Sequence, residues 1–276
     1  MTLWVVSQCT FPRAPLDVSL ARFAEMGFAR VETFCDWTTS RLDPQAPARG
    51  YRDAAAAHGL AWHALHLPAL TGEPAEADAG LAQALEAIGF AQALGMKQVY
   101  LRSRCRAGLL AHAGRLLDAC EQAGLTALLE PHADTPVAGL ADVEAVLGQL
   151  RDERLGVVLE LGHLARAGER WDGFYEAMGG PVSRGGRVAG VHLKNVDAQG
   201  RWAPWREGLI DIAAVAQRLA ADRFRGELVF ETELVDEQAT HDDLLALRAY
   251  LKGVLPETTA SEAAADAPGL APARPR

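Results

Sequence analysis

LTALLEPHADTPVAGLADVEAVLGQLRDERLGVVLE, residues 125–160, contains one whole strand–helix–strand repeat with a carboxylate closing each strand. Leu125–Glu130 and Leu155–Glu160 are short apolar runs of the kind that makes a buried strand. Val137–Leu150 between them carries apolar residues at helical spacing. An ionised residue at the end of a buried strand is costly unless something neutralises it. The same ending recurs downstream, where VAGVH closes on His192 and ELVFE closes on Glu231. Glu130, Glu160, His192 and Glu231 follow each other at roughly 30 to 40 positions, about one strand–helix unit. Three carboxylates and one imidazole at successive strand ends predict convergence on one point, with a divalent cation there.

Working outward, the same alternation runs along the chain. Strands are predicted over Leu3–Gln8, Ala29–Phe34, Leu60–His66, Gln98–Arg102, Val188–His192 and Glu227–Glu231, beside the two above. Helices are predicted over Leu16–Met26, Ala75–Leu94, Leu109–Ala123 and Ile212–Ala221. Gly27, Gly59, Gly95, Gly124 and Gly226 stand just before strands, where a left-handed residue ends a helix. Eight strand–helix units in about 250 residues predict a single (β/α)8 TIM barrel over residues 1–255. An open doubly wound sheet usually carries a glycine-rich loop after its first strand. Here that strand runs into SQCTFPRAP, with no GxGxxG. The remaining residues, 256–276, are rich in alanine and proline and are expected to be a disordered tail.

Alternation of side chains sets Leu128, Val158, Gly190 and Val229 on the faces of Glu130, Glu160, His192 and Glu231. If those faces point inward, a polar layer lies over an apolar one. Glu233 shares the face of Glu231 and could take its place as ligand; Glu231 is preferred because it follows the apolar run at once.

Composition narrows the function. Of 276 residues, 49% are hydrophobic and 23% charged, which suits a globular protein. A net charge of −9 opposes a nucleic-acid groove. No apolar run approaches the ~18 residues of a membrane span, and MTLWVVSQ lacks a signal peptide's basic start. Cys9, Cys35, Cys105 and Cys120 show no metal-binding spacing and read as free thiols, so a cytoplasmic location is expected.

The chain resembles the xylose-isomerase-like TIM-barrel superfamily, the group of sugar phosphate isomerases/epimerases and family 2 AP endonucleases. The carriers are MGFARVE (26–32), LLEPH (128–132), VVLELGHLARAG (157–168), VAGVHLKNVD (188–197), WREGLIDI (205–212) and GELVFETEL (226–234). The resemblance implies one divalent ion held by Glu130, Glu160, His192 and Glu231. It also implies that Glu130 and Glu231 act as the acid/base pair, and that His163 contacts substrate. One position departs from the pattern. Glu160 stands where the motif usually has Asp, and its extra methylene displaces the carboxylate by roughly an ångström.

Other candidates for the substrate are Lys194, in phase with His192, His66 at the end of the third strand, and Glu32, a position the family often uses near substrate. Trp37, Trp202 and Trp205 fall in strand-to-helix loops, where an aromatic face can pack on a sugar ring. His132 is read as supporting the site or its loop.

An oxygen-rich donor set favours Mn²⁺ first, with Mg²⁺, Co²⁺ or Zn²⁺ also fitting. Such a site can polarise a hydroxy-ketone while flanking carboxylates move the neighbouring proton. The expected activity is isomerisation or epimerisation of a keto-sugar or related polyol. A leaving group beta to that proton turns the same site into a lyase or dehydratase, for example on a keto-glycoside or dehydroshikimate-like substrate. An AP endonuclease would need more metal ligands and a basic groove. A non-catalytic sugar-binding barrel is the remaining alternative. The partners expected are a small sugar and a second copy of the chain, with no nucleic acid and no membrane.

Overall fold

The structure, a computed structural model, describes residues 2–70, 72 and 74–255. The predicted tail lies outside the described residues. Eight parallel strands close into a barrel: β1 (Leu3–Ser7), β2 (Arg30–Phe34), β3 (Ala61–His66), β4 (Gln98–Leu101), β5 (Thr126–Leu129), β6 (Leu155–Glu160), β7 (Val188–Leu193) and β10 (Glu227–Phe230). Each strand pairs with its chain neighbour, and β10 returns to pair with β1. A short antiparallel ribbon, β8 (Asn195–Val196) with β9 (Trp202–Ala203), rises from β7.

The helices are α1 (Leu16–Glu25), α2 (Ala48–Ala57), α3 (Pro74–Ala93), α4 (Arg106–Ala123), α5 (Leu140–Leu150), α6 (Leu161–Arg166), α7 (Trp171–Ala177), α8 (Ile212–Ala221) and α9 (Glu237–Lys252). The helix that Gly59 is expected to end is α2, whose buried face is little more than Ala55; the sequence pattern provides no range for the short α6 and α7. The helix expected after the last strand is α9, capped by Asp236, which accepts from the Ala239 N–H. None of the described helices is long and apolar enough to cross a membrane.

Two apolar layers hold the barrel. The larger lies between strands and helices. The smaller fills the barrel, where Ala64, Tyr100, Leu128 and Val158 meet and Ala189 packs against them. Leu128 is central to it. A Cβ on Gly156 would come within 2.6 Å of Leu128 Cδ2, and one on Gly190 within 3.7 Å of Cδ1. Gly156 makes room for that leucine, whereas at Gly190 the contact would be an ordinary one. Leu128→Ala should therefore cost about 2–5 kcal/mol in denaturant unfolding. A loss below about 1 kcal/mol would show that the interior collapses around the gap.

Gly27, Gly59, Gly95 and Gly124 take the left-handed conformation expected of helix ends. Gly226 does not: Arg223 turns that helix instead, at φ 52°. Gly226 answers a different demand, since a Cβ there would lie 2.1 Å from the Ala189 carbonyl oxygen. Close approach of β10's entry to β7 excludes any side chain.

Candidate metal and active site

Register brings the strand-end residues to one level. Glu160 stands beside His192, Val229 also pairs with His192, and Ser7 pairs with Glu32. Glu130 and Glu231 follow β5 and β10 directly. All five polar residues beyond Ser7 are buried: Glu32, Glu130, Glu160, His192 and Glu231. The apolar layer of Leu128 and Val158 lies beneath, as the alternation predicted.

The three expected carboxylates share one arrangement. Each has one oxygen held by protein donors and the other turned toward His192. Glu160 Oε1 accepts from the His163 N–H at 3.4 Å, because α6 starts directly after β6 and Glu160 caps it. Its Oε2 lies 2.7 Å from His192 Nδ1. Glu231 Oε1 accepts from Cys9 Sγ at 3.0 Å and from Lys194 Nζ at 3.3 Å, while Oε2 lies 3.1 Å from the same nitrogen. Glu130 Oε2 meets His66 Nδ1 at 3.1 Å and Arg102 Nε at 3.4 Å, while Oε1 lies 3.7 Å from His192 Nδ1.

These approaches are close in distance but misaligned as hydrogen bonds. Glu160 Oε2, Glu231 Oε2 and both ring nitrogens of His192 have no hydrogen-bond partner. Buried polar atoms are seldom left so. Carboxylate oxygens gathered around one imidazole make candidate sites for a divalent cation. Glu130, Glu160 and His192 offer ligand atoms within 4.8 Å of one another, as do Glu32, His192 and Glu231.

Glu32 belongs to the same buried cluster. It is fully buried, accepts from Ser7 Oγ at 2.8 Å, and lies 2.8 Å from His66 Nε2 and 3.4 Å from His192 Nε2. Glu32 thus lies on the Nε2 side of His192, while the other three acids lie nearest Nδ1. His66 sits between Glu32 and Glu130, stacked on Phe34 with centroids 4.2 Å apart. Glu233 pairs with Lys194 Nζ at 2.9 Å, the same nitrogen that meets Glu231 Oε1 at 3.3 Å.

The electrostatics follow from burial and crowding. Burial and the neighbouring Glu231 push the Glu160 carboxyl up to about 8, against the pull of His192 and Lys194. Burial would also raise Glu231, but Lys194 and His192 hold it well below the usual carboxylate range. Burial opposes the charged form of His192 too, yet Glu32 and the surrounding acids raise it well above an ordinary histidine. Glu130 is lowered, since His66 and Arg102 outweigh its desolvation.

The family description "Xylose isomerase-like TIM barrel" matches residues 20–250. The chain belongs to this family. Solved structures similar to this barrel include a D-tagatose 3-epimerase-like protein, with a TM-score of 0.74 and 16% identity, covering 92% of this chain and 98% of that one. A xylose isomerase-like TIM barrel protein from Mycobacterium smegmatis in complex with magnesium has a TM-score of 0.69 and 16% identity, covering 92% and 98%. The probable 3-DHS dehydratase AsbF from Bacillus anthracis has a TM-score of 0.65 and 14% identity, covering 90% and 99%. At these identities the likeness is one of fold. No curated protein matches the chain by sequence.

Around the mouth of this xylose isomerase-like barrel, the remaining candidates divide. His163 is buried and stacked on His132 with centroids 3.6 Å apart, and its Nδ1 has no partner. Burial, with Lys194 and His132 nearby, drives its pKa to about 2, so the ring is neutral. Lys194 is buried with Nζ 4.1 Å from the Trp202 ring centroid. Gly162 permits that packing, because a Cβ there would meet Lys194 and Trp202 atoms at 3.0 Å. Trp202 thus walls the site, whereas Trp205 is buried against Tyr250. Trp37 is exposed, its edge on Phe34.

Sequence reasoning missed Cys9, Arg102 and a polar floor below the site. In that floor Tyr100 accepts from Gln98 Nε2 at 2.8 Å, and His63 pairs with Glu227. Arg102 carried the same signal as the acids, since it ends the fourth predicted strand. His63 could not have been found: it occupies the irregularity between Trp62 and Ala64 in the β2–β3 pairing, which reverses its face. A surface cleft beside Trp205 and Tyr250 contains none of the converging groups.

Proposed function

We propose that this protein is a metal-dependent isomerase or epimerase acting on a keto-sugar or related polyol. One observation carries the reading: three buried carboxylates each turn an unanchored oxygen toward the same imidazole nitrogen. Glu130, Glu160, His192 and Glu231 would hold the cation, and a hard, oxygen-rich set suits Mn²⁺ or Mg²⁺. A divalent ion bound there supplies Lewis-acid polarisation of substrate oxygens.

The chain's own residues do the rest. Glu130 and Glu231 come from β5 and β10, which flank β6 and β7 in the barrel. They therefore approach a substrate over His192 from two sides. One carboxylate takes the proton from the carbon beside the carbonyl, and the other returns a proton to the opposite face. Lys194 and Cys9 hold Glu231 in place through Oε1. The neutral ring of His163, with Nδ1 free, offers a hydrogen bond to a substrate hydroxyl.

The test is deuterium uptake at the carbon next to the carbonyl, in D₂O, with metal-loaded protein and a panel of ketoses. Uptake without loss of water or an aglycone assigns isomerisation or epimerisation. Uptake accompanied by elimination assigns the lyase outcome. Binding with no uptake in any member leaves a sugar-binding barrel and ends the enzyme reading. His163→Ala should raise KM while leaving bound metal unchanged, as measured by metal analysis.

A further inference from the structure

We propose that Arg102 receives a carboxylate of the substrate, so that the site takes a small hydroxy-keto acid in preference to a neutral sugar. The proposal rests on the proton-transfer reading above and names its substrate class.

Arg102 follows β4 directly and stands beside Glu130, since Leu101 pairs with Leu129. Its side chain is only 14% exposed, with the guanidinium 5.8 Å from the Phe34 ring centroid. A guanidinium carries five N–H donors in a rigid plane. Here they are mostly unused. Nε lies 3.4 Å from Glu130 Oε2 but makes no hydrogen bond. Nη2 makes one long bond, 3.4 Å, to Asp36 Oδ1, and Asp36 is itself 45% exposed. Withdrawing a cation from water without filling its donors is costly. The other buried cation at the mouth, Lys194, is by contrast engaged by Glu231 and Glu233 together.

A guanidinium serving only to neutralise Glu130 would aim an N–H at it. Instead Glu130 Oε2 is taken by the aligned His66 Nδ1, and Arg102 is left with a planar edge to offer. That edge matches the two oxygens of a carboxylate. Position selects the kind of acid. The guanidinium lies beside one of the two proposed proton-transfer carboxylates, so an anion bound to it sits close to the carbon that exchanges its proton. A carboxyl group attached beside the hydroxy-ketone meets that limit. An anionic group at the far end of a sugar chain does not.

Trp37 supplies an independent observation at the same place. It is 51% exposed and holds a left-handed backbone at φ 26°, with the Thr38 N–H donating to the Asp36 carbonyl across it at 2.6 Å. Strain of this kind persists where the surroundings enforce it and gathers at ligand sites. The indole packs by its edge on Phe34, the same ring that lies near Arg102. It stands ready to cover the carbon skeleton of a molecule whose carboxylate Arg102 holds.

The experiment is deuterium exchange by metal-loaded protein on two matched sets: neutral ketoses, and hydroxy-keto acids of about three to six carbons. The expected result is a higher kcat/KM for an acid than for the neutral ketoses. Compared at equal metal occupancy, Arg102→Met should raise KM for the acid on the order of tenfold or more, and Arg102→Lys should recover part of it. KM for a neutral ketose should rise by a smaller factor than KM for the acid, since only the acid loses a direct partner. Should Arg102→Met not fold, the wild-type preference between the two sets decides alone. Exchange confined to neutral ketoses, or an acid KM indifferent to Arg102→Met, overturns this proposal and leaves the proton-transfer reading standing. No exchange in either set defeats that reading and this one with it.

Discussion

Glu231→Gln should lower epimerisation by about 10²-fold or more, the worth of a positioned general base. The amide keeps the shape of the carboxylate but cannot take a proton. Its second consequence comes from the neighbours. Glu231 Oε1 is held by two donors, Cys9 Sγ and Lys194 Nζ. A glutamine satisfies both only by turning its carbonyl oxygen toward them, which points its NH₂ at His192 and at any cation. Metal affinity should therefore fall together with the rate, and metal content must be measured at saturation to separate the two effects. Glu130→Gln should act from the opposite face. If the two acids work as a pair, each variant blocks net inversion, and each leaves exchange from the face that the other acid serves. A Glu231→Gln protein that keeps more than about a tenth of wild-type activity at full metal occupancy would remove Glu231 from the chemistry.

The four converging residues were legible in sequence because a parallel barrel repeats itself. Each strand is a short apolar run, each run ends at the same rim, and a charge at that rim breaks the pattern visibly. Glu130, Glu160, His192 and Glu231 all announce themselves in this way. What sequence could not separate was orientation. Glu32 and His66 end strands too, and from spacing alone either could face a substrate. The packing sets His66 against Phe34 and Tyr100 with an acid near each ring nitrogen, a placement that spacing alone does not give.

The departure at Glu160 is also a matter of orientation. Its longer side chain reaches the common point because α6 begins with no intervening loop, so the His163 N–H holds one oxygen while the other turns inward. Cys9 was invisible for the opposite reason. It lies in a short turn of helix after β1, where no periodicity marks it, and it reaches Glu231 only because β1 and β10 are neighbours in the closed barrel.

Divalent metal should raise the melting temperature, and the gap between metal-loaded and EDTA-treated protein should widen from pH 6 to pH 8. The sign follows from two groups. Glu160 is raised to about 8, first by burial and then by Glu231. A carboxyl raised above its unfolded value binds more protons in the folded state. The EDTA-treated protein therefore loses stability as pH climbs from the ordinary carboxylate range through about 8. His192 is raised by Glu32 and the other acids against its burial. Its contribution is complete below the unfolded histidine value and is likewise lost as pH rises.

A cation reverses the preference, because it binds deprotonated carboxylates and a neutral ring nitrogen, and protons compete with it at low pH. At a hundredfold excess over Kd the stabilisation is about 2.7 kcal/mol. For a domain of this size that corresponds to roughly 5–10 °C. The gap should shrink in Glu160→Gln, which removes the carboxylate whose proton the cation must displace. A melting temperature indifferent to both EDTA and added Mn²⁺ or Mg²⁺ at pH 8 would leave the unpaired oxygens of Glu160 and Glu231 without the ion that their geometry calls for.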